Sequence, residues 1–324
     1  MNKRAIVLLS GGLDSALALR LLMEQGIDVI AVHFVSPFFR SSWAVRLAQE
    51  WNVPLVEIDI TEDILKLLKS PPHGFGSQMN PCIDCHALML RKAKELMEKF
   101  NASFVATGEV LGERPMSQNK GSLRIVEKES GLEGLLLRPL SAKLLPPTIP
   151  EKEGLVDREK LLDIKGRSRK IQMELVDRFG IKDYPSPAGG CLLTDPQFAK
   201  RLKDLMDNDE LSKDNVNLLK IGRHFRLGKG LKLVVGRNKE ENQKLKELVR
   251  EDDVFLEAIS HKGPDAILRG QVSEEDVELA GRILARYSDL GEGEKLRVKV
   301  SRKGEERMIE VDKLEEKEIR KWMI

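Results

Sequence analysis

Cysteine is scarce in this chain, three in 324 residues and an odd number. A secreted scaffold stapled by disulfides needs more of them, in pairs, so that class is excluded. Aromatic residues make up only 5%, which leaves few platforms on which bases could stack. No apolar run reaches the ~18 residues of a membrane span. Residues 1–10 are too short and strand-like for a signal peptide, so a soluble, cytoplasmic protein is expected. Nor is there a charge excess: 54 basic against 52 acidic side chains leave +2. No global field advertises a nucleic acid, and any such partner must be sought in local clusters. What is abundant is charge of both signs, 33% of residues, a composition common in thermophilic proteins. A length of 324 residues predicts two or three domains.

The first part of the chain alternates short apolar runs with amphipathic stretches. Ala5 to Leu9, Val29 to Val32, Leu55 to Ile58 and Ser103 to Ala106 read as strands, the first as continuous as a buried parallel strand should be. Ser15 to Glu24, Ser41 to Trp51 and Ile83 to Phe100 have helical spacing, and Gly26 stands where a C-cap belongs. Strands alternating with helices predict an α/β domain, a doubly wound parallel sheet over residues 1–150, with its ligand at the carboxyl ends of the strands. After about Ser130 the alternation fades, and Pro139, Pro146, Pro147 and Pro150 open a connecting region, residues 151–214. Within it, Gly166 to Phe179 and Phe198 to Met206 read as helices, Tyr184 to Gly190 as a loop, and Asp207 to Asp214 as a polar linker. Residues 215–324 carry short strands, glycine turns and two helices (Glu240 to Arg250, Ser273 to Tyr287), predicting a small α+β domain.

Directly after the first strand stands Ser10-Gly11-Gly12-Leu13-Asp14-Ser15, followed by a helix. Two glycines let the backbone approach an anion, the helix N-terminus adds its positive end, and Ser10 and Ser15 add hydroxyl donors. Asp14 would be repelled by bare phosphate, so its use is to hold Mg²⁺ or to orient the loop. The Walker A spacing and its lysine are absent. The string resembles the signature of the PP-loop ATP pyrophosphatases, enzymes of the adenine nucleotide alpha hydrolase-like fold that adenylate a carbonyl oxygen and release pyrophosphate. That resemblance implies that Ser10, Gly11, Gly12, Asp14 and Ser15 hold the phosphates of ATP.

A second string, Thr107-Gly108-Glu109-Val110-Leu111-Gly112-Glu113-Arg114 with Ser117-Gln118, ends the fourth strand. It resembles a segment of tRNA 4-thiouridine synthetases that borders the nucleotide, which implies that Thr107, Gly108 and Gln118 line the ATP site. Asn80-Pro81-Cys82-Ile83-Asp84-Cys85 and Gly189-Gly190-Cys191-Leu192 resemble the cysteine segments of tRNA 2-thiouridylases, in which one cysteine carries sulfur and another resolves it; the matching positions are Cys85 and Cys191. The likeness to tRNA thiolation enzymes spans roughly residues 1–206 and mixes two branches, 4-thiouridine and 2-thiouridine. A PP-loop ligase or amidase with structural zinc is the alternative of another class.

Cys82 goes beyond a two-cysteine sulfurtransferase. Cys-x-x-Cys at a helix start is expected to lower thiol pKa and to bring two sulfurs to one centre. Three thiolates leave one iron of a 4Fe–4S cluster without a protein ligand, and an open iron can bind hydrosulfide. Cys82, Cys85 and Cys191 are similar in arrangement to the ligands of iron–sulfur-dependent tRNA thiolases. Zinc with His86 as fourth ligand, a dithiol or persulfide cycle, and three inert core cysteines are the other readings. The expected sulfur donor is free sulfide or a sulfur-carrier protein, and assembly as a homodimer is left open.

Lys220 to Lys239 holds seven Lys and Arg residues, with Arg223, Arg226, Lys229 and Arg237 among them, and no acid. A phosphate-binding face or a solvated basic turn would both read this way. Ile221-Gly222-Arg223-His224-Phe225-Arg226-Leu227-Gly228, with Val234 to Asn238, resembles the RNA-binding domain of NFACT proteins, which implies a tRNA partner recognised by shape and backbone. Arg167, Arg169 and Lys170 either extend that track or face solvent. His33 either borders the adenine or simply packs or faces solvent, and Pro71 to Gly76 reads as a mobile loop without chemistry of its own.

Overall fold

The computed structural model describes residues 2–182, 184 and 190–324. Most of the expected loop 184–190, including Gly189 of the third-cysteine segment, lies outside the described residues. Contacts divide the chain into two units, Met1–Asp195 and Pro196–Ile324. The stretch 151–214 is shared between them.

The first unit runs β1 (Arg4–Leu8), α1 (Leu13–Glu24), β2 (Asp28–Val35), α2 (Ser42–Glu50), β3 (Leu55–Asp59), α3 (Thr61–Lys69), α4 (Cys82–Lys99), β4 (Phe104–Ala106), α5 (Lys120–Ser130), β5 (Leu136–Leu137), α6 (Ile149–Lys152) and α7 (Lys170–Phe179). The five strands form one parallel sheet in the order β3-β2-β1-β4-β5. β1 is central, and Ala5, Ile6 and Val7 are fully buried between helices on both faces, which is why its sequence is apolar without alternation. The order turns back between β1 and β4, so a crevice opens at their carboxyl ends. Both glycine-bearing strings leave the sheet at that point.

Local chemistry sets the helix ends. Ser41 caps α2 by accepting from the amide of Ala44, and Asn119 caps α5 by accepting from Ser122. α1 differs: its cap is Gly12, which offers no side-chain bond. The first amides of α1 are therefore left for another acceptor. α7 begins at Lys170 rather than Gly166, because Gly166 sits at φ +75° and residues 166–169 turn before the helix starts. α3 and α5 are helices the sequence pattern did not announce.

The second unit runs α8 (Pro196–Asp207), α9 (Lys213–Leu218), β6 (Arg223–Gly228), β7 (Leu231–Val235), α10 (Lys239–Leu248), β8 (Val254–Ala258), β9 (Asp265–Gly270), α11 (Glu274–Arg286), β10 (Leu296–Arg302), β11 (Glu305–Val311) and α12 (Glu316–Ile319). Its sheet is antiparallel, in the order β11-β10-β8-β9-β7-β6. The alternation of strand side chains builds two cores: Leu233 packs with Val277, Ile283 and Leu284 of α11, while Val234 packs with Leu218 and Leu245 on the opposite face. α11 opens on a Ser273–Asp276 capping box. Among the described residues no helix is long and apolar enough to cross a membrane.

Candidate active site

The loop Ser10–Ser15 turns tightly between β1 and α1. Gly11 holds φ +83°, and a Cβ there would lie 2.0 Å from the Ser41 hydroxyl oxygen, so only glycine fits. Ser15 Oγ donates to the Gly12 carbonyl at 2.7 Å and lies 3.2 Å from Ser10 Oγ, and the Gly12 amide donates to Ser10 Oγ at 3.3 Å. His33 underpins the same corner. It is buried, its Nδ1–H donates to Leu9 O at 2.8 Å, and its Nε2 accepts from the Ser41 amide at 3.2 Å. Burial holds His33 below its ordinary pKa, in keeping with the neutral ring this bonding pattern needs. Of the readings of His33, packing is the one seen.

Asp14 is the loop's charge problem. Its Oδ1 is buried without a hydrogen-bond partner, and its Oδ2 is 3.9 Å from Arg169, a residue of the turn before α7. Burial raises its pKa, against Arg169, Gln172 and Arg114, which pull it down. Glu113 faces it and is raised as well, by burial and then by Asp14. Two carboxyls each discouraged from ionising, one with an orphaned oxygen, suit a divalent cation between them.

The second string meets the loop directly. A Cβ on Gly108 would lie 2.4 Å from the Ser15 amide nitrogen, so the chain after β4 lies against the start of α1. Thr107 and Gln118 are buried, and Gln118 closes the turn by accepting from the Arg114 amide at 3.1 Å. Glu109, between them, is anchored from three sides: Thr107 Oγ1 donates to it at 3.0 Å, Arg138 Nε at 2.9 Å, and His86 Nδ1 lies at 3.0 Å. Burial by itself would push Glu109 up, but Arg138 and His86 prevail and its carboxyl settles at about 2. Sequence reasoning assigned no role to Glu109 or Arg138. The available signal was Arg138 itself, one cation ending the apolar run Leu135 to Leu137.

The three cysteines converge. Cys82 and Cys85 open α4, and Asn80 Nδ2 donates to Cys82 Sγ at 3.2 Å. Cys191 is fixed from the other side, the amide of Leu192 donating to Phe38 O at 2.9 Å. Each thiol is near enough to act on another's charge: Cys82 and Cys191 both disfavour a Cys85 thiolate, and Cys82 disfavours one at Cys191. At Cys85 the expected lowering of thiol pKa is reversed. Burial and then mutual repulsion push Cys85 strongly up, and burial pushes Cys191 up to about 11. The helix start does not win at Cys85 because that sulfur leaves water. Protonated thiols at Cys85 and Cys191 are poor nucleophiles at neutral pH, and a cationic centre beside them is what would ionise them.

The spacing also bears on zinc. Tetrahedral Zn–S bonds of about 2.3 Å place sulfurs within roughly 4 Å of each other. Among the described residues, the one set of three ligand atoms lying within 4.8 Å is His73, Asp84 and Glu129. The thiols are thus spread more widely than one ion requires, and His86 is turned to Glu109. The His73 set is satisfied internally: Asp84 accepts from the His73 amide at 3.1 Å and contacts Nδ1 at 2.7 Å, while Nε2 is 3.3 Å from Glu129. Asp84 raises the His73 pKa. The stretch Pro71 to Gly76, expected to be mobile, is therefore pinned to α4 and α5, and the Gly76 amide also bonds Asn80 O at 2.9 Å.

In the second unit the acid-free basic segment is compensated in space. Arg226 pairs with Asp204 at 2.6 Å and Glu210 at 2.7 Å, Lys232 is buried against Asp204 at 2.9 Å, and Arg237 pairs with Glu241. The expectation counted acids only within the segment, and these arrive from α8, the turn after it and α10. Arg223 stacks over Tyr287 at 4.4 Å. Lys229 stands exposed at the β6–β7 turn. In the first unit, Arg167 and Lys170 are exposed while Arg169 turns inward to Asp14.

Known proteins add the following. Residues 1–143 match the family described as thiamine biosynthesis protein (ThiI). The second unit carries an NFACT protein RNA binding domain match over residues 222–323. The ThiI match covers both strings and the Cys-x-x-Cys, and ends before α7 and Cys191. A "Probable tRNA sulfurtransferase" of Anoxybacillus flavithermus (strain DSM 21510 / WK1) is 28% identical over 198 residues, 50% of this chain and 49% of that protein. The chain thus spans about half the length of that curated relative. Among solved structures, a predicted subunit of tRNA methyltransferase from Methanocaldococcus jannaschii is 17% identical with TM-score 0.39, covering 65% of this chain and 90% of that one. A 4-thiouridine synthetase–RNA complex with bound ATP is 21% identical with TM-score 0.38, covering 67% and 52%.

Proposed function

We propose that this chain is an ATP-dependent tRNA sulfurtransferase that replaces a uridine carbonyl oxygen with sulfur, making 4-thiouridine. The observation that carries the reading is the pairing of an anion-ready loop, Ser10 to Ser15, with three converging thiols on Cys82, Cys85 and Cys191. The ThiI match over residues 1–143 and the name of the A. flavithermus relative support it. ATP lies with its phosphates on the loop amides and the Ser10 and Ser15 hydroxyls, between Thr107–Gly108 and Gln118. Mg²⁺ would be held by Asp14, with Glu113 facing it. The uridine oxygen attacks the α-phosphorus; a C–O–P linkage forms, and the bond to the departing pyrophosphate breaks. Sulfide then adds at the same carbon and AMP leaves with the oxygen. Adenylation turns a poor oxygen leaving group into a good one, which is why the exchange needs ATP.

Cys82, Cys85 and Cys191 would hold a 4Fe–4S cluster, which suits three thiols spread more widely than one ion needs. When bound, such a cluster supplies an iron without a protein ligand, a position for inorganic sulfide. The second unit would hold the tRNA backbone through Lys229, Arg223 and the exposed side of Arg237, with Arg226 acting to brace the fold. The reading is tested by anaerobic purification with iron and labile-sulfide assay, then thiolation of a tRNA transcript with Mg·ATP and sulfide. Iron with sulfide, and a uridine gaining sulfur, are expected. Zinc without iron, or full activity in Cys82→Ala, would sink the cluster; absence of any thiolated uridine would sink the transferase. The same nucleoside spectra separate 4-thiouridine from 2-thiouridine, the product suggested by the cysteine segments.

A further inference from the structure

Both polar atoms of the Gln172 carboxamide, Oε1 and Nε2, are buried without a hydrogen-bond partner, and the residue is 0% exposed. Leaving a buried amide unpaired costs about as much as several good hydrogen bonds contribute, so such groups are normally satisfied by something. Gln172 lies in the first turn of α7, its side chain beside the Asp14 carboxyl. Asp14 Oδ1 is the neighbouring orphan, and Arg169, immediately before α7, reaches the other Asp14 oxygen at a loose 3.9 Å. Three unfinished groups therefore meet at Asp14, within the Ser10–Ser15 loop. None of them falls in the segment matched to ThiI, except Asp14 itself.

We propose that the first turn of α7 is a second wall of the phosphate site, in which Gln172 and Arg169 bind the diphosphate that becomes the leaving group. This rests on the nucleotide reading of the loop. Gln172 Nε2 donates to a phosphate oxygen, and Oε1 accepts from water in the cation's shell. Arg169 leaves Asp14 once that carboxylate turns to the cation, and its guanidinium passes to the phosphates, a geometry it matches well. A nucleobase or ribose would not call for the charge assembled here, the Arg169 guanidinium standing 3.9 Å from Asp14. A group carrying several negative charges and a divalent cation does.

The test uses the whole protein and titrates Mg·ATP, Mg·pyrophosphate and AMP into wild type, Gln172→Met and Arg169→Met, with melting temperatures measured without ligand. Each variant is expected to bind ATP and pyrophosphate about tenfold more weakly or worse, as loss of a hydrogen bond to a charged group implies, with AMP unchanged. Gln172→Met removes an unsatisfied amide at nearly equal volume, so its ligand-free melting temperature should hold or rise. ATP and pyrophosphate affinities within about twofold of wild type would overturn the inference while leaving the nucleotide site standing. So would equal weakening of ATP and AMP with a lower melting temperature, the mark of a merely structural side chain. If wild type binds neither ATP nor AMP, the nucleotide reading itself fails.

Discussion

Glu109→Gln tests the brace beneath the second string. Glu109 and Arg138 are 8% and 3% exposed and 2.9 Å apart. The fold takes the Glu109 carboxyl from 4.5 to about 2. At about 1.4 kcal/mol for each tenfold in proton affinity, its ionised form contributes on the order of 3 kcal/mol at pH 7. The folded pKa lies below the unfolded one, so this contribution is complete above 4.5 and is lost as pH falls through about 2. At pH 3 roughly half of it should remain. Urea unfolding followed by tryptophan fluorescence in a Trp322→Phe background reports the first unit, because Trp43 and Trp51 both lie there. Glu109→Gln should lose about 3 kcal/mol at pH 7 and clearly less at pH 3. Arg138→Met should cost at least as much, since Glu109 is then left buried and unpaired, and the double variant should cost less than the sum. A loss that is the same at both pH values, or none at pH 7, would refute the reasoning.

Three further outcomes are expected. Gly108→Ala drives a Cβ to 2.4 Å from the Ser15 amide; calorimetry should show ATP binding weakened by more than about tenfold and a lower melting temperature. His73 gains a partner in Asp84, so the tether of Pro71 to Gly76 is complete below the ordinary 6.5 and is lost as pH rises through the higher folded value; the protection factors of those amides, with intrinsic base-catalysed exchange divided out, should fall as pH rises in wild type and stay level in His73→Gln. Arg226→Ala should destabilise the second unit by about 2–4 kcal/mol, because Asp204 and Glu210 lose their partner, whereas Lys229→Ala should leave melting unchanged and lower the salt slope of tRNA binding by about one.

The α/β sheet and its crevice were legible because β1, β2 and β4 are apolar runs separated by helical stretches, and because the loop and Thr107–Gln118 follow strands directly. Pairings across long separations were not. Glu109 finds Arg138, and Arg226 finds Asp204, only through the fold; an acid-free stretch of sequence says nothing about acids folded back onto it. His73 was hidden among prolines and glycines that announce a loop but not what pins it. Gln172 sits between Ile171 and Met173, where the helical pattern marks a face but not a purpose. The cysteines were readable as a set, yet the direction of the Cys85 pKa was not, because burial of that thiol outweighs the helix start.

The central claim is most directly tested by mass spectrometry of tRNA nucleosides from a strain lacking this protein. The account predicts loss of one thiolated uridine, restored by the wild-type gene and not by Asp14→Asn or Cys191→Ala. Thiolated nucleosides unchanged in the deletion strain would contradict it.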